Sequence, residues 1–351
     1  MEGLQVDGLC EAARDEARRR WDAVAKPLHA LGRLEDMIAQ IAGIQGTADA
    51  CVTPRCALVF CGDHGVVAEG VTQSGSEVTA LVARSIAQGE ANVNLMASAA
   101  GTGVFAVDMG MARAVDHPAI FARRTACGTG NIARGPAMTR EQAERAVRAG
   151  MELVGEMRSR GYRVIATGEM GIGNTTAAAA VACALLGLQP EAAAGRGAGL
   201  SDEGLARKVS AIRRALDVNA PDAGDPLDVL AKVGGFELAG MAGAFLGGAA
   251  HRVPIVVDGV ISAVSALMAA RICPAARDFM LPSHRSREPV AARVLQELGL
   301  CPVIDADMAL GEGTGAVMLF PMLDMALRVY TGVHTFARLG MRAYAPQGGK
   351  A

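Results

Sequence analysis

The sequence predicts an α/β fold built on a parallel sheet with helices on both faces, and three observations carry that prediction. Apolar runs of strand length recur at 57–61, 104–108, 164–167, 254–258 and 302–305, with helical patterns between them. Most of these runs end in Asp or Gly, where a parallel strand hands over to a loop. Two of them lead into glycine-rich turns, Gly168-Glu169-Met170-Gly171-Ile172-Gly173-Asn174-Thr175-Thr176 and Leu310-Gly311-Glu312-Gly313-Thr314-Gly315. In such sheets ligands lie at the carboxyl ends of the strands. A strand, a glycine turn and the start of a helix point backbone N–H groups at an anion, usually a phosphate.

The elements follow in order. Residues 8–25 are helical in pattern, charged, and end before Pro27. Residues 30–43 repeat the helical spacing, with Leu31, Leu34, Met37, Ile38 and Ile41 on one face. Near 43–47 the character changes, and the strand–helix alternation begins. Residues 320–345 return to helix. The expected organisation is a helical segment at 1–47, a large α/β catalytic domain at 48–319 and a helical segment at 320–351, the two ends packing together as a small domain.

Composition narrows the function classes. Hydrophobic residues make up 51% and aromatics 3%, with 43 glycines, so small aliphatic layers are expected rather than an aromatic core. A formal net charge of −2 without a Lys/Arg run offers no basic face to nucleic acid. The start, Met1-Glu2-Gly3-Leu4, has no basic segment followed by an apolar one, so a cytoplasmic protein without signal peptide is expected. The apolar stretch 254–272 contains Asp258 and fits strand plus helix better than a membrane span. The eight cysteines lack C-x-x-C spacing and read as reduced, mostly buried thiols.

Each motif also has a plainer reading. The first glycine turn could be a tight bend needing positive φ. Three glycines and an amide feeding an alanine-rich helix favour a functional loop. Asp63-His64-Gly65 reads as a turn that shapes a pocket rather than as metal ligands, and no metal is expected. Lys208, alone in a helical pattern, would ordinarily be solvated. Two segments fit the loose dinucleotide pattern, Gly128-Thr-Gly-Asn-Ile-Ala133 and Gly311-Glu-Gly-Thr-Gly-Ala316. Neither is followed about twenty residues on by a ribose-binding acid at a strand end. An NAD-dependent oxidoreductase is therefore the weaker alternative.

Nearly the whole chain resembles the nicotinate-nucleotide–dimethylbenzimidazole phosphoribosyltransferase family, which builds the lower-ligand nucleotide of cobamides. The matching residues run in order: Lys26-Pro27, Leu31-Gly-Arg-Leu-Glu35, Gly62-Asp-His-Gly-Val66, Glu77-Val-Thr79, Cys127-Gly-Thr-Gly-Asn-Ile132 and Gly135-Pro-Ala-Met-Thr139. The Gly168 loop follows, then Gly195-Arg-Gly197, Val233-Gly-Gly-Phe-Glu237, Asp258-Gly259, Ser283-His284 with Ser286, and the Leu310 loop. The resemblance implies a Rossmann-like large domain, a small helical domain from both termini and a homodimer without cofactor. It also implies transfer of the phosphoribosyl group of nicotinate mononucleotide to a benzimidazole-type base, with inversion at C1′. By the same resemblance Glu312 is the proton acceptor and Glu169 lines the ribose side. Gly173, Asn174, Thr175, Gly197 and Lys208 would meet phosphate and ribose, and Ser74, Val82, Met170 and Leu310 the acceptor base.

Departures from the family pattern concentrate at the acceptor end. Gly75 stands where proline is common, Val82 where some members have glutamine, Ala198 for threonine and Ala309 for arginine. Base choice, including purines and phenols, stays open on this reading. So does a non-catalytic partner subunit, although keeping both Glu169 and Glu312 argues against it.

Overall fold

A computed structural model describes residues 6–345 of the chain. The helices in chain order are α1 (Glu11–Ala23), α2 (Arg33–Gln45), α3 (Glu77–Gln88), α4 (Asn92–Ala99), α5 (Arg140–Ser159), α6 (Asn174–Leu186) and α7 (Pro190–Ala193). They continue with α8 (Asp202–Asn219), α9 (Pro226–Val233), α10 (Phe236–His251), α11 (Val260–Ile272), α12 (Ala291–Leu298) and α13 (Thr314–Tyr330). The strands are β1 (Arg55–Gly62), β2 (Gly103–Gly110), β3 (Ile120–Ala122), β4 (Val164–Met170), β5 (Ile255–Val257) and β6 (Met280–Pro282). Every pairing is parallel, and the six strands lie in the order β3-β2-β1-β4-β5-β6. The order reverses between β1 and β4, so the loops leaving these neighbours diverge to opposite faces and open a crevice at their carboxyl ends.

Strand alternation divides the core in two. Along β1, Cys56, Leu58 and Phe60 enter one apolar cluster, whereas Ala57, Val59 and Cys61 enter the other. β5 does the same, with Ile255 and Val257 on the first face and Val256 on the second. The first face is covered by α5, α6, α10 and α11. Here composition becomes geometry: a Cβ on Gly150 of α5 would run into the Gly240 carbonyl of α10, and one on Gly243 into the Val147 carbonyl. Glycine and alanine let these two helices approach backbone to backbone, which a chain poor in aromatics needs to fill its interior.

The predicted fold class holds, with three differences in its elements. Segment 302–305 is not a sheet strand; Ile304 makes a single bridge to His284, while the sixth strand is formed by 280–282. Strands β3 and β6 have three residues each, too short for periodicity to reveal. The last helix begins at Thr314, inside the glycine-rich segment, and ends at Tyr330, so the predicted helix start at 320 falls within it. The two chain ends do meet: Val24 bridges Thr335, and the Trp21 and Tyr330 rings lie 5.0 Å apart. Lys26 pairs with Glu35 at 2.8 Å, which accounts for the N-terminal motif as a clamp within this layer. Trp21, Ile38 and Ile41 share their apolar cluster with Ala57, Val59 and Ala166 of the sheet. No described helix is long and apolar enough to cross a membrane. All eight cysteines are free, but only Cys56, Cys61 and Cys183 are buried, fewer than the sequence suggested.

The α5–α10 contact tests this packing. Gly150→Val should wedge the helices apart and destabilise the fold by about 1–3 kcal/mol or more, the cost of overpacking a close-packed interior. Urea unfolding monitored by circular dichroism would measure it; an unchanged midpoint would contradict the close approach.

Candidate active site

The crevice at the strand ends is a cleft of ≈ 260 Å³. Its floor is made by the two glycine-rich loops, which lie directly on one another. A Cβ on Gly168 would sit 2.5 Å from the Glu312 carbonyl oxygen and 2.7 Å from the Gly313 nitrogen, so only glycine permits this approach. The Glu312 N–H donates to the Glu169 carbonyl at 3.3 Å. Gly311, Glu312 and Gly313 all have positive φ, and Glu312 at +60° is a left-handed non-glycine residue. Such a conformation costs about 1–3 kcal/mol and persists where its surroundings enforce it, commonly at functional positions.

Three helices begin at this cleft. Gly173, Gly259 and Gly313 precede α6, α11 and α13, and Gly173, Asn174, Thr175, Gly259 and Val260 line the cavity. Their dipoles bias the space toward negative charge, while several of the first-turn N–H groups are already taken: Asn174 and Thr176 donate to the Gly171 and Gly173 carbonyls, and Ala316 donates to Asp258.

At one end of the cleft stands Lys208. It projects from α8 and is fully buried, against the ordinary expectation for a lysine in a helix. Its Nζ donates to Thr175 Oγ1 at 2.8 Å and to the Gly195 carbonyl at 2.9 Å. Burial lowers its pKa to about 8, opposed by the nearby Glu288 carboxylate. Gly197, with φ +52°, completes this corner. Gln73 closes over it by donating to the Ala198 carbonyl at 3.1 Å.

Three further carboxylates line the same cleft. Glu169 accepts a short hydrogen bond from the Asn174 amide. Burial first, then the like charges of Asp258 and Glu237, push its carboxyl well above the usual range. Burial also raises Glu312, although the Val93 N–H at the start of α4 donates to Oε2 at 3.2 Å and stabilises the anion. Asp258 is raised by burial as well and accepts from Ala316 N at 2.9 Å. Met170, Leu310 and Ser74 line the same cavity, with Leu310 exposed at its mouth.

Glu169, Glu312, Gly173, Asn174, Thr175, Lys208, Gly197, Ser74, Met170 and Leu310 are thus brought into one cleft. Val82 is not among the lining residues; the buried face of α3 is Thr79, Ala83 and Ile86, and Val82 lies one step off that register, packed against the second core. Asp63 and His64 lie behind the cleft. Asp63 accepts from Thr79 Oγ1 at 2.6 Å and from Ala112 N at 2.7 Å, while His64 Nε2 is 2.6 Å from Glu237 Oε1. Asp258, His284, Ser286 and Glu288 line the cleft without having been given a role from sequence. The first three stood in matched motifs, but Glu288 sits in an irregular segment with no pattern to mark it.

The dinucleotide reading fails on geometry. Segment 128–133 lies in a loop with no strand–turn–helix around it, and segment 311–316 follows irregular chain rather than a strand.

A parallel sheet whose strand-end cleft joins a buried lysine to several carboxylates defines a small-molecule transferase scaffold, and a family model described as a phosphoribosyltransferase matches residues 6–341. The chain is 45% identical over 342 residues to the nicotinate-nucleotide–dimethylbenzimidazole phosphoribosyltransferase of Acetivibrio thermocellus, covering 97% of each chain. It is 41% identical over 331 residues to that of Ruminiclostridium cellulolyticum, covering 94% of each. A solved structure of the Thermus thermophilus enzyme of the same name superimposes with a TM-score of 0.88 at 43% identity, over 94% of this chain and 98% of that one. The chain belongs to the nicotinate-nucleotide–dimethylbenzimidazole phosphoribosyltransferase family.

The Lys208 corner gives a prediction with a definite sign. A group whose folded pKa is depressed below the lysine reference loses its charge early, so the ammonium is present below about pH 8 and lost above it. Affinity for ribose 5-phosphate should fall as pH rises through that value. Lys208→Ala should remove this dependence and cost about 1.5–3 kcal/mol in binding. Isothermal calorimetry across roughly pH 6.5 to 9.5 is the check; an unchanged pH dependence in the variant would place the titration elsewhere.

Proposed function

We propose that this chain transfers the 5-phosphoribosyl group of nicotinate mononucleotide to a benzimidazole-type base, giving α-ribazole 5′-phosphate and nicotinate. The observation that carries the reading is that the left-handed Glu312 and the buried Lys208 ammonium line one cleft. The phosphate would meet Lys208, Thr175 and the N–H groups that open α6, with Gly197 beside them. The ribose would lie over Glu169 and Asn174. The base would stack between Met170 and Leu310, with Ser74 at the rim.

The chemistry follows from the charges. Nicotinate leaves C1′ as a neutral pyridine ring, so its departure needs no acid. The attacking base must lose its N–H proton as the other nitrogen bonds to C1′, so a base is needed there. Glu312 supplies a carboxylate made more basic by burial yet kept ionisable by the Val93 N–H. Glu169, raised by burial and held by the Asn174 amide, would face the ribose. A single displacement inverts C1′ from β to α without a covalent enzyme intermediate.

The natural form is proposed to be a cytoplasmic homodimer, supported by the exposed Leu81, Leu95 and Met325 on α3, α4 and α13. Segments 1–47 and 320–351 are proposed as its small helical domain, supported by the meeting of the chain ends.

Incubation with nicotinate mononucleotide and dimethylbenzimidazole should release nicotinate, followed by chromatography. Glu312→Gln keeps the shape of the side chain but cannot accept the proton, so kcat should fall by roughly 10²-fold or more. Near-normal turnover by the variant would remove Glu312 from its role.

The base end presents apolar walls at Met170 and Leu310, which discriminate mainly by shape. One methyl-sized difference is then worth about 1–3 kcal/mol. Benzimidazole and its dimethyl derivative should therefore compete within about two orders of magnitude in kcat/KM, read by product mass. A much larger preference would require a buried polar contact to the acceptor.

A further inference from the structure

We propose that Glu288 is a placeholder for the substrate phosphate: its carboxylate occupies the Gly195–Gly197 seat in the unliganded enzyme, and phosphate must displace it to bind. This rests on the phosphate placement proposed above.

The geometry of the corner supports displacement. Glu288 lines the cleft, and its Oε1 accepts the Gly197 N–H at 3.2 Å. Its Oε2 lies where a Cβ on Gly195 would be, so this loop has glycine at 195 to admit the carboxylate. The Gly195 carbonyl in turn accepts from Lys208 Nζ at 2.9 Å. A Cβ built on Gly197 would point at Thr175 Oγ1, 3.2 Å away, and at Lys208 Nζ, 3.8 Å away. The carboxylate is therefore held by the same N–H, and beside the same ammonium, that would serve a phosphate oxygen.

Electrostatics makes the two anions exclusive. Lys208 commits two of its three protons to Thr175 and Gly195, leaving one for an incoming anion. A phosphate dianion added while Glu288 stayed in place would put three negative charges against one ammonium. Coulomb repulsion at contact distance in a partly buried corner opposes that arrangement strongly, so one anion must leave. Glu288 can do so: it is only half-buried, and it stands in irregular chain between Ser286 and α12 rather than within a helix. Without phosphate the carboxylate satisfies the Gly197 N–H and its charge favours the nearby ammonium, which preserves the loop for the next substrate. The consequence is that the enzyme binds phosphate more weakly than its N–H groups and lysine would allow, and releases its phosphorylated product more readily.

Calorimetry separates this from a bracing role. Wild type, Glu288→Gln and Glu288→Ala would each be titrated with nicotinate mononucleotide and, as a ligand without phosphate, with nicotinate, after circular dichroism has confirmed the fold. Glu288→Gln keeps the side-chain volume and an acceptor for Gly197 but removes the competing charge. It should bind nicotinate mononucleotide roughly tenfold more tightly, the order expected for relieving one like-charge contact in a half-exposed corner. Glu288→Ala should also tighten, and neither variant should change nicotinate binding. Equal or weaker nucleotide binding in both variants, with Lys208→Ala still costing affinity, overturns the placeholder role alone. If Lys208→Ala costs nothing either, the phosphate placement itself fails and the placeholder with it.

Discussion

The structure turns on the contact between Gly168 and the Glu312–Gly313 peptide. It joins the end of the central strand β4 to the start of α13, two segments far apart in the chain, at a distance that admits no side chain. Because of that contact, Glu312 is held left-handed between two glycines, and Glu169 on the next position of β4 faces the same space. The loop that opens α6 continues from β4 without interruption. One backbone approach thus sets the two glycine-rich loops against each other at the floor of the cleft.

The cleft gathers several buried acids and one buried lysine. Glu169, Asp258 and Glu312 are all pushed toward protonation by burial. The backbone N–H groups of Gly259, Gly313 and Ala316, at the openings of α11 and α13, oppose that shift at Asp258. Lys208 stands buried in the same cleft, and its own cost of burial appears as a lowered pKa.

Packing links the composition to the site. Glycine and alanine at the α5–α10 contact, together with strands that alternate strictly between two cores, let many helices crowd onto one sheet. Rigid layers behind β1 and β4 hold the two diverging loops in place. The buried His64–Glu237 pair and the Asp63–Thr79 bond belong to this support, which is why the motif at 62–66 stands behind the cleft and not in it.

Much was legible in the chain alone. Strand-length apolar runs ending in glycine or aspartate, and two glycine loops each with one glutamate, pointed to the parallel sheet, to a cleft at its strand ends and to the loops that line it with Glu169 and Glu312. These features are local: they depend on neighbouring residues and on the periodicity of helix and strand. Tertiary structure decided the rest. It set β3 and β6, whose three residues are strands only because a neighbour pairs with them, and it denied that status to 302–305. It buried Lys208, which no helical pattern marks, because α8 lies across α6. It left Val82 off the buried face of its helix, and it brought Glu288 from an irregular segment to the Gly197 amide. Side chains that act together at a distance of tens of residues are joined by packing, and packing has no signature in the spacing of a single chain.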